Sequence, residues 1–580
     1  MILPMSARAA MVEMERAVDP PSSDEQPMLD ALDGHLARTL PPGRGAALEG
    51  RGEFPDAELR AFAREGFVRE LVPAAEGGCL DWARAMRLAA RLSAHDLDVA
   101  LCLGGAVLGG MPVLVAGDAP QRAQYFGALL RGEMGGLGLS EWDRGSDLLA
   151  IDTRAESLDA QGRLCAVEDA VRFRLFGTKS PVNNGVRGAN VVVLARTGAA
   201  GDPFGASLFL VPRGSQGVKN GPTYAPMGFR GMDLSGITLD GAELPRSALL
   251  GSAGEGFAYA RRALEISRSG VATMATGAQA TCLALAVAHA RSRVLYGREI
   301  GALGGVQAIV ARTFARFAES LALSRRAVRA AARWPASARA WTAAAKLVCP
   351  GHLEQSVHDV GTLLGARSVL EDLPFARLRR AAPVLAIFDG SSQLQLDELW
   401  RYVARWRLEG AMTAADALAR GRALRDDVGV PFDATREDAS AELDRASPHE
   451  LLHALDAVVP DAGLATLAGA ARLVAAAAQE GRALGQATRF RVSSAAADLY
   501  AIAALAEVTA LAHATSRDAL ASALALRVSD LAPSMAATLI ALAPHVRRDL
   551  SGDAARILEL ARDPESTRAG LYECAVRIVP

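Results

Sequence analysis

The spacing of the hydrophobic residues changes twice along the chain. Between residues 31 and 135 apolar residues recur at helical intervals and glycines interrupt them, as in DWARAMRLAARLSAHD and QRAQYFGALL. Residues 136–245 instead hold short alternating segments bounded by Gly, Asn, Asp or Pro, such as VRFRLF, NVVVLAR and SLFLVP, which predict antiparallel strands and hairpins. Residues 246–408 return to long helical patterns, which predict a helical bundle.

Three further segments complete the predicted organisation. Residues 1–30 are polar and contain Pro20 and Pro21, which predicts a flexible tail. Residues 409–440 are charged and contain glycine, as in a linker, and residues 441–580 form a second Ala- and Leu-rich helical block. We therefore expect a mainly α protein with a central antiparallel β domain and an extra C-terminal α-helical domain.

Composition supports this picture and narrows the partners. Half of the 580 residues are hydrophobic, aromatic residues make up 5%, and the abundance of Ala and Leu favours helices. The formal net charge of -2 gives no general attraction to nucleic acid or to an anionic membrane. Six scattered cysteines without a C-x-x-C pair indicate buried thiols in a reducing compartment, so we expect a cytoplasmic protein.

Two segments bear on targeting and membranes. Glu13 and Glu15 interrupt the N-terminus where a signal peptide needs an apolar run, so no targeting signal is predicted. Val99 to Gly117 is uncharged and long enough to span a bilayer, but Pro112 and several glycines interrupt it. We interpret it as a buried helix, and attachment to the periphery of a membrane stays an unsupported option.

The common catalytic motifs are absent, with one exception. No G-x-G-x-x-G follows a strand, and neither a phosphate-binding G-x-x-x-x-G-K-[ST] loop nor a G-x-S-x-G turn occurs. His449 and His453 fit H-E-x-x-H, whose histidines lie one helical turn apart and can hold zinc. The same residues also fit a helix start, with Ser447 as N-cap, Pro448 first and Glu450 closing a capping box. We favour the helix start and predict no metal.

Seven segments, taken in order, resemble conserved segments of the acyl-CoA dehydrogenase family over about residues 60–405. The loop GLSEWDRGSD is similar to the family's "LTEPxAGSD" and AIFDGSSQLQ to its catalytic "IYEGTxQIQ". The other similar segments are EGFVRELVPAAEGG, FGTKSPVNNG, FRGMDLSGITLDGAELP, LGSAGEGFAYA and the long EISRSGVATMATGAQATCLALAVAHARSRVLYG. The C-terminal block resembles that of the very-long-chain, membrane-associated members, in which extra helices supply dimer contacts.

The resemblance implies a flavoprotein that oxidises an acyl thioester, bound to CoA or a carrier protein, across Cα–Cβ. Asp389 matches the base that takes the α-proton, while the β-hydride goes to N5 of FAD. Arg268 matches an arginine near the base, and Ser146 lies against the thioester arm. Arg293 and Tyr296 match a pair that reaches FAD in a neighbouring subunit, which implies a homodimer. The remaining matched flavin contacts are Leu139, Ser140, Gly145, Ser146, Asn183, Gln307, Gly365, Ser391 and Gln393.

The sequence also departs from the family at the site. The family base is usually glutamate, so Asp389 is one methylene shorter. The other departures are Pro181 for tryptophan, Asn183 for threonine or serine, Thr362 for glutamine, Ala366 for glycine and Ala381 for aspartate. Three functions stay open. The first is a dehydrogenase that passes electrons to an electron-transfer flavoprotein or similar acceptor. The second is a flavin oxidase that acts on a different, non-thioester carbon acid, like the nitroalkane oxidases, which use an aspartate base, and the third is a degenerate binding or assembly protein.

Overall fold

The helices and strands follow the predicted order: helices, a β domain, a helical bundle and a further helical block. The fold class is therefore confirmed. The computed structural model describes residues 3–335, 338–406, 412–426, 432–434, 447–460, 462–480, 484–543, 550–561 and 565–579.

The N-terminal helical block packs on the later bundle. Its helices are α1 (Leu3–Val18), α2 (Gln26–Thr39), α3 (Arg44–Arg51), α4 (Asp56–Arg64), α5 (Trp82–His95), α6 (Leu97–Ala116) and α7 (Ala119–Leu130). Asp81 and Asp96 cap α5 and α6, each accepting hydrogen bonds from two backbone N–H groups of the first turn.

The flexible tail predicted for residues 1–30 is wrong for α1, which is a buried helix. Apolar residues at helical spacing bury one face of α1, and these are Ala7, Ala10, Met11, Met14 and Val18. Glu15, also fully buried, is held by Arg91 at 3.0 Å and by Arg325. The prolines that suggested a tail lie just beyond the helix, where they end it.

The central domain is a twisted sheet between the two helical blocks. Its strands are β1 (Gly135–Gly138), β2 (Arg154–Leu158), β3 (Arg172–Asn183), β4 (Asn190–Arg196), β5 (Ala206–Pro212), β6 (Val218–Thr223), β7 (Leu234–Pro245) and β8 (Leu249–Leu250). They pair in the order β6-β7-β3-β2-β4-β5-β8, with β1 beside β4. Most pairs are antiparallel as expected, but β1 and β2 both run parallel to β4, so the sheet is mixed.

Long helices form the bundle that follows the sheet. They are α8 (Gly256–Ser292), α9 (Gly304–Arg333), α10 (Arg339–Leu364), α11 (Pro374–Ala381), α12 (Val384–Ile387) and α13 (Ser392–Val403). A two-stranded hairpin of β9 (Val294–Leu295) and β10 (Arg298–Glu299) joins α8 to α9. Helices α8, α9 and α10 pack against one another along their length and carry the core of the bundle.

Part of the extra C-terminal helical block packs on α9 and α10. The helices of this block are α14 (Ala414–Asp426), α15 (Pro448–Asp456), α16 (Leu464–Glu480), α17 (Gln486–Leu511), α18 (Ala514–Leu542), α19 (Ser551–Leu558) and α20 (Glu565–Ile578). Residues 409–440 were predicted to be a linker, but they contain helix α14. This helix packs its apolar side on α17. Arg527 of α18 enters the bundle and pairs with buried Glu319 at 2.5 Å.

The H-E-x-x-H segment is a helix start. Ser447 and Glu450 form the capping box of α15, and Ser447 N–H donates to Glu450 Oε2 at 3.2 Å. The interpretation of these residues as an N-terminal cap is therefore confirmed.

Among the described residues, four helices are long and apolar enough to span a membrane on length and composition alone: α6, α8, α17 and α18. Between 67% and 89% of their most apolar windows is buried against other parts of the protein. Helix α6, which contains the uncharged run noted in the sequence, is accordingly a buried helix of the N-terminal block.

Candidate active site

Asp389 lies in a sharp turn between two helices of the bundle. Helix α12 ends at Ile387, α13 begins at Ser392, and Asp389 between them has a backbone φ of 59°. Few residues other than glycine adopt this left-handed conformation, and aspartate is among those that do. Gly390 follows with a φ of 91°, which glycine adopts without steric strain. The turn places the Asp389 carboxylate against α8.

One oxygen of this carboxylate is held and the other is free. Ser267 Oγ on α8 donates to Asp389 Oδ2 at 2.7 Å. Asp389 Oδ1 is buried and has no hydrogen-bond partner among the described residues. Burial raises the pKa of Asp389 to about 6, although the Ser267 hydrogen bond and the charges of Arg268 and Lys346 act in the opposite direction. Such a group can accept a proton from a carbon acid held beside it.

Arg268 borders the same turn. It follows Ser267 on α8 and forms an ion pair with Glu398 of α13. Its Nε is buried without a hydrogen-bond partner in the described part of the chain. The ion pair joins α8 to α13 and thereby holds together the two helices that adjoin the Asp389 turn.

A buried ion pair holds the loop that follows β1. Lys179 Nζ donates to Glu141 Oε1 and to Leu139 O, each at 2.9 Å. Glu141 also accepts hydrogen bonds from the backbone N–H groups of Asp152 and Thr153 at 2.7 and 2.8 Å. Burial lowers the pKa of Lys179 to about 8, and Glu141 opposes that change. These contacts make the start of the loop rigid.

The predicted residues of this loop differ in their exposure. Leu139 is buried, and Ser140 O accepts a hydrogen bond from Ser180 N–H at 3.1 Å. Gly145 and Ser146, further along the loop, are exposed. The loop thus offers a fixed backbone at its start and open polar groups at its end.

Asn183 ends β3 and faces α6. Its Nδ2 donates to Leu101 O at 3.3 Å, and its Oδ1 is buried without a partner among the described residues. Gly105 permits this approach, because a Cβ there would lie 2.0 Å from Asn183 Nδ2. Asn183 therefore leaves a free acceptor between the sheet and the helices.

A second group of predicted residues lies at the other end of α8. Arg293 and Tyr296 are exposed on the β9–β10 hairpin, Tyr296 at 89%. Gly365, with a φ of 59°, is exposed where α10 ends. Burial, together with the charges of Arg367 and Arg293, lowers the pKa of His289 in the last turn of α8.

The remaining predicted residues divide between the two ends. Gln307 begins α9 near the hairpin, and its Nε2 donates to Gly301 O at 3.1 Å. Ser391 is the N-cap residue of α13 next to Asp389, and Gln393 is exposed in the first turn of that helix.

The two groups are too far apart to act on one ligand within a protomer. From Arg268 to the end of α8 at Ser292 the helix extends about 36 Å, at about 1.5 Å per residue. A single dinucleotide does not bridge that span. Residues at both ends can contact the same dinucleotide only if two copies of the chain place opposite ends of their bundles together.

Family models for acyl-CoA dehydrogenases match three consecutive parts of the chain. The N-terminal domain model matches residues 22–133, the middle domain model residues 136–242, and the C-terminal domain model residues 254–404. The chain belongs to the acyl-CoA dehydrogenase family. Members of this family are FAD-dependent oxidoreductases, so the predicted enzyme class and cofactor are confirmed.

Individual relatives agree with this assignment. Cyclohex-1-ene-1-carbonyl-CoA dehydrogenase of Geobacter metallireducens is 28% identical over 380 residues, which cover 64% of this chain and 96% of that protein. The structure of an acyl-CoA dehydrogenase complexed with FAD from Bacillus anthracis has a TM-score of 0.75 at 18% identity and covers 98% of both chains. That fold includes the C-terminal extension. The prolyl acyl carrier protein oxidase AnaB has a TM-score of 0.60 at 19% identity, covering 66% of this chain and 99% of its own.

The residues of this chain that match the family's FAD contacts carry chemical groups that suit FAD. Asn183 Oδ1 is a buried acceptor that lacks a donor, as a site for a polar ring requires. Arg293 presents an exposed guanidinium suited to a pyrophosphate. A cavity of about 480 Å³ beside Gly365 is lined by Thr362, Ser368 and other residues of α10 and α11. A buried polar acceptor is therefore available between the sheet and α6, and a guanidinium is available at the hairpin end of α8.

Three contributors to the site were missed by the sequence analysis. Ser267 lies one residue before Arg268, but a serine inside a long helix carries no signal for a hydrogen bond across 122 residues. Lys346 and the Lys179–Glu141 ion pair are equally long-range features. Lys179 and Glu141 lie inside two of the segments that resemble the family. The sequence therefore showed both residues but did not show that they form an ion pair.

Proposed function

We propose that this protein is an FAD-dependent dehydrogenase that introduces a Cα–Cβ double bond into an acyl thioester, with Asp389 as the base. The observation that carries the proposal is the carboxylate of the half-buried residue Asp389, whose buried Oδ1 is free while Ser267 holds Oδ2. Bound FAD would supply the acceptor for the β-hydrogen, which leaves as hydride with its electron pair. The chain's own part is to bind the thioester and take the α-proton on Asp389.

The environment of Asp389 suits this task. With its pKa raised to about 6 by burial, the group is mainly ionised at neutral pH and is a stronger base than an exposed aspartate. Ser267 and the surrounding positive charges keep the carboxylate oriented and ionised while substrate excludes water. The left-handed turn at Asp389 holds the short side chain where its carboxylate reaches Ser267 on α8.

The test is flavin content followed by anaerobic reduction. Purified protein should carry about one FAD per chain, and a panel of acyl-CoA and acyl carrier protein thioesters should bleach it. Asp389→Asn should keep the flavin and slow bleaching by about 10²–10⁴-fold, the usual contribution of a general base. Asp397→Asn is the matched control, since Asp397 lies on α13 in an exposed pair with Arg401. Unimpaired bleaching in Asp389→Asn would remove this residue from the role.

A homodimer completes the proposed FAD site. Arg293 and Tyr296 of one protomer would serve the FAD bound beside Asp389 of its neighbour, because a span of about 36 Å separates them along α8. The hairpin and the segment after α10 also expose an apolar surface suited to a second copy. Its residues are Val294, Leu295, Tyr296, Val369 and Leu370.

Light scattering tests the dimer directly. Tyr296→Asp should shift the protein toward monomer and lower its FAD content together, since the same surface would serve both purposes. Ile540→Asp is the control, because Ile540 is an apolar residue that is 58% exposed on α18 and is not one of the residues of the proposed surface. A Tyr296→Asp variant that stays dimeric with full flavin would contradict this arrangement.

One observation favours an oxidase as the second candidate. Pro181, where the resemblance expects a tryptophan, is exposed at the end of β3, so this side of the site lacks a large aromatic cover from that position. Oxygen would then re-oxidise the reduced enzyme in place of an electron-transfer flavoprotein. Stoichiometric hydrogen peroxide during turnover in air would establish the oxidase. Turnover that requires an added flavoprotein acceptor would establish the dehydrogenase.

A further inference from the structure

Lysine is rare in this chain, and two of its few lysines are buried. Of 63 basic residues only three are lysines: Lys179, Lys219 and Lys346. Lys219 is an exposed residue of β6, and Lys179 is paired with Glu141. Lys346, in the middle of α10, is 1% exposed. Because the chain uses arginine for nearly all of its basic residues, a lysine in its core requires a physical explanation.

Lys346 also lacks the usual partner of a buried cation. Among the described residues no carboxylate lies within 4.0 Å of its ammonium group. The ammonium instead donates to Leu385 O in α12 at 2.8 Å and lies 5.9 Å from the centroid of the Phe388 ring. Both contacts fall within four residues of Asp389 in the sequence. Burying an unpaired cation is unfavourable, so its position demands compensation from its surroundings.

The charges around Lys346 identify that compensation. Asp389 raises the pKa of Lys346 and Lys346 lowers that of Asp389, so the two groups attract each other. Glu354 on α10 acts in the same sense as Asp389, and Arg268 on α8 acts against it. Burial lowers the pKa of Lys346 to about 8, and the group therefore remains mainly protonated at neutral pH.

We propose that Lys346 is a positioning residue for Asp389, which anchors the turn that carries the base and supplies the positive charge that keeps the base ionised. The anchor is the hydrogen bond to Leu385 O, which holds α12 against α10. The Lys346 ammonium lies beside the Phe388 ring and acts on Asp389 through its charge, without forming a direct ion pair. A direct ion pair would occupy the free oxygen that the substrate proton needs, whereas a cation at a distance leaves that oxygen available.

A purely structural role makes a different prediction. If Lys346 only satisfies the Leu385 carbonyl, replacing it would change stability and flavin content but not the proton affinity of Asp389. The two roles can be separated with three variants. Lys346→Arg keeps a charge and a donor, Lys346→Gln keeps a donor, and Lys346→Met keeps neither. Lys219→Met is the control, because Lys219 is exposed on the sheet.

The first measurement is the pH dependence of anaerobic flavin reduction, and it rests on the proposed function. Lys346→Met and Lys346→Gln should both move the midpoint upward by about one unit, since removing a nearby cation favours the neutral carboxyl group. Lys346→Arg should restore the wild-type midpoint, and Lys219→Met should leave it unchanged. The limiting rate at high pH should fall further in Lys346→Met than in Lys346→Gln. Unchanged midpoints in folded Lys346→Met and Lys346→Gln would overturn the proposal.

The second measurement does not depend on catalysis. Lys346→Met should lower the melting temperature more in the wild-type background than in Asp389→Asn at about pH 7, where Asp389 is ionised. At about pH 5, where Asp389 is mainly protonated, the two decreases should converge. Equal decreases at both pH values would overturn the proposal even if the enzyme proves inactive. Wild-type protein that fails to bleach, with the pH-dependent difference intact, would refute the proposed function alone.

Discussion

Replacing Ser267 by alanine isolates the hydrogen bond that holds the base. Ser267 Oγ donates to Asp389 Oδ2 at 2.7 Å, and it favours the ionised carboxylate. A hydrogen bond to a charged group contributes about 1.5–3 kcal/mol, and one pKa unit corresponds to about 1.4 kcal/mol. Ser267→Ala should therefore raise the pKa of Asp389 by about one to two units above its value of about 6.

The effect on rate follows from the ionised fraction. A base with a pKa of about 6 is about 90% ionised at pH 7, and a rise of about one to two units reduces that to about 50–10%. Flavin reduction at pH 7 should therefore slow by about 2-fold to 10-fold, while the limiting rate at higher pH changes little. The pH dependence of stability has the opposite sign to that of the rate: because burial raises the pKa of Asp389 to about 6, its contribution to stability falls as pH rises through that pKa.

Anaerobic stopped-flow bleaching across the pH range measures this shift. Ser269→Ala is the matched control, because Ser269 lies on the same helix and its hydroxyl bonds Trp82 and the Ile266 carbonyl instead of the base. A midpoint that stays in place in Ser267→Ala would refute the assignment of this hydrogen bond. A shift of equal size in Ser269→Ala would show that the effect comes from general disturbance of α8.

Three predictions concern the ion pairs that hold the fold. Lys179→Met leaves Glu141 buried without its cation, so it should destabilise the protein by about 3–5 kcal/mol and lower flavin content, measured by melting and absorbance. Deleting residues 1–19 removes buried Glu15 and should lower the melting temperature sharply, whereas deletion of a flexible tail would leave it unchanged. Arg527→Met should destabilise by a similar amount through unpaired Glu319, and an Arg401→Met control in an exposed pair should have little effect.

Much of the fold could be predicted because its signals are local. The change of hydrophobic period marks the sheet between two helical blocks, and the order of short segments places Asp389 in the chain. Helix α1 shows where local reasoning fails. Its apolar positions have helical spacing, but Pro20 and Pro21 dominated the interpretation. The buried acid Glu15 is explained only by Arg91 and Arg325, 76 and 310 residues away.

The site likewise has features that local sequence signals predict and features that they do not. The position of Asp389 could be predicted from its segment, but its proton affinity depends on partners that no motif connects. Ser267 is 122 residues away, and the Lys346 ammonium reaches Leu385 across 39 residues. The distance between Arg268 and Arg293 could be estimated only once α8 was known to be one continuous helix, which the sequence suggested but did not establish.

The residues around Asp389 and two of the residues that depart from the family, Pro181 and Thr362, lie in different regions of the site. Burial raises the pKa of Asp389, and Ser267, Arg268 and Lys346 act to lower it. Pro181 lies instead at the end of the sheet, and Thr362 lines the cavity at the end of α10. Under the proposed function, the changes at Pro181 and Thr362 would alter how FAD is held and re-oxidised, whereas the change at the base, Asp389, still leaves a carboxylate to take the proton. Bleaching without an acceptor tests the first half-reaction, and reaction of the bleached enzyme with oxygen or a flavoprotein tests the second. A protein that bleaches normally but re-oxidises unusually is the outcome that this separation predicts.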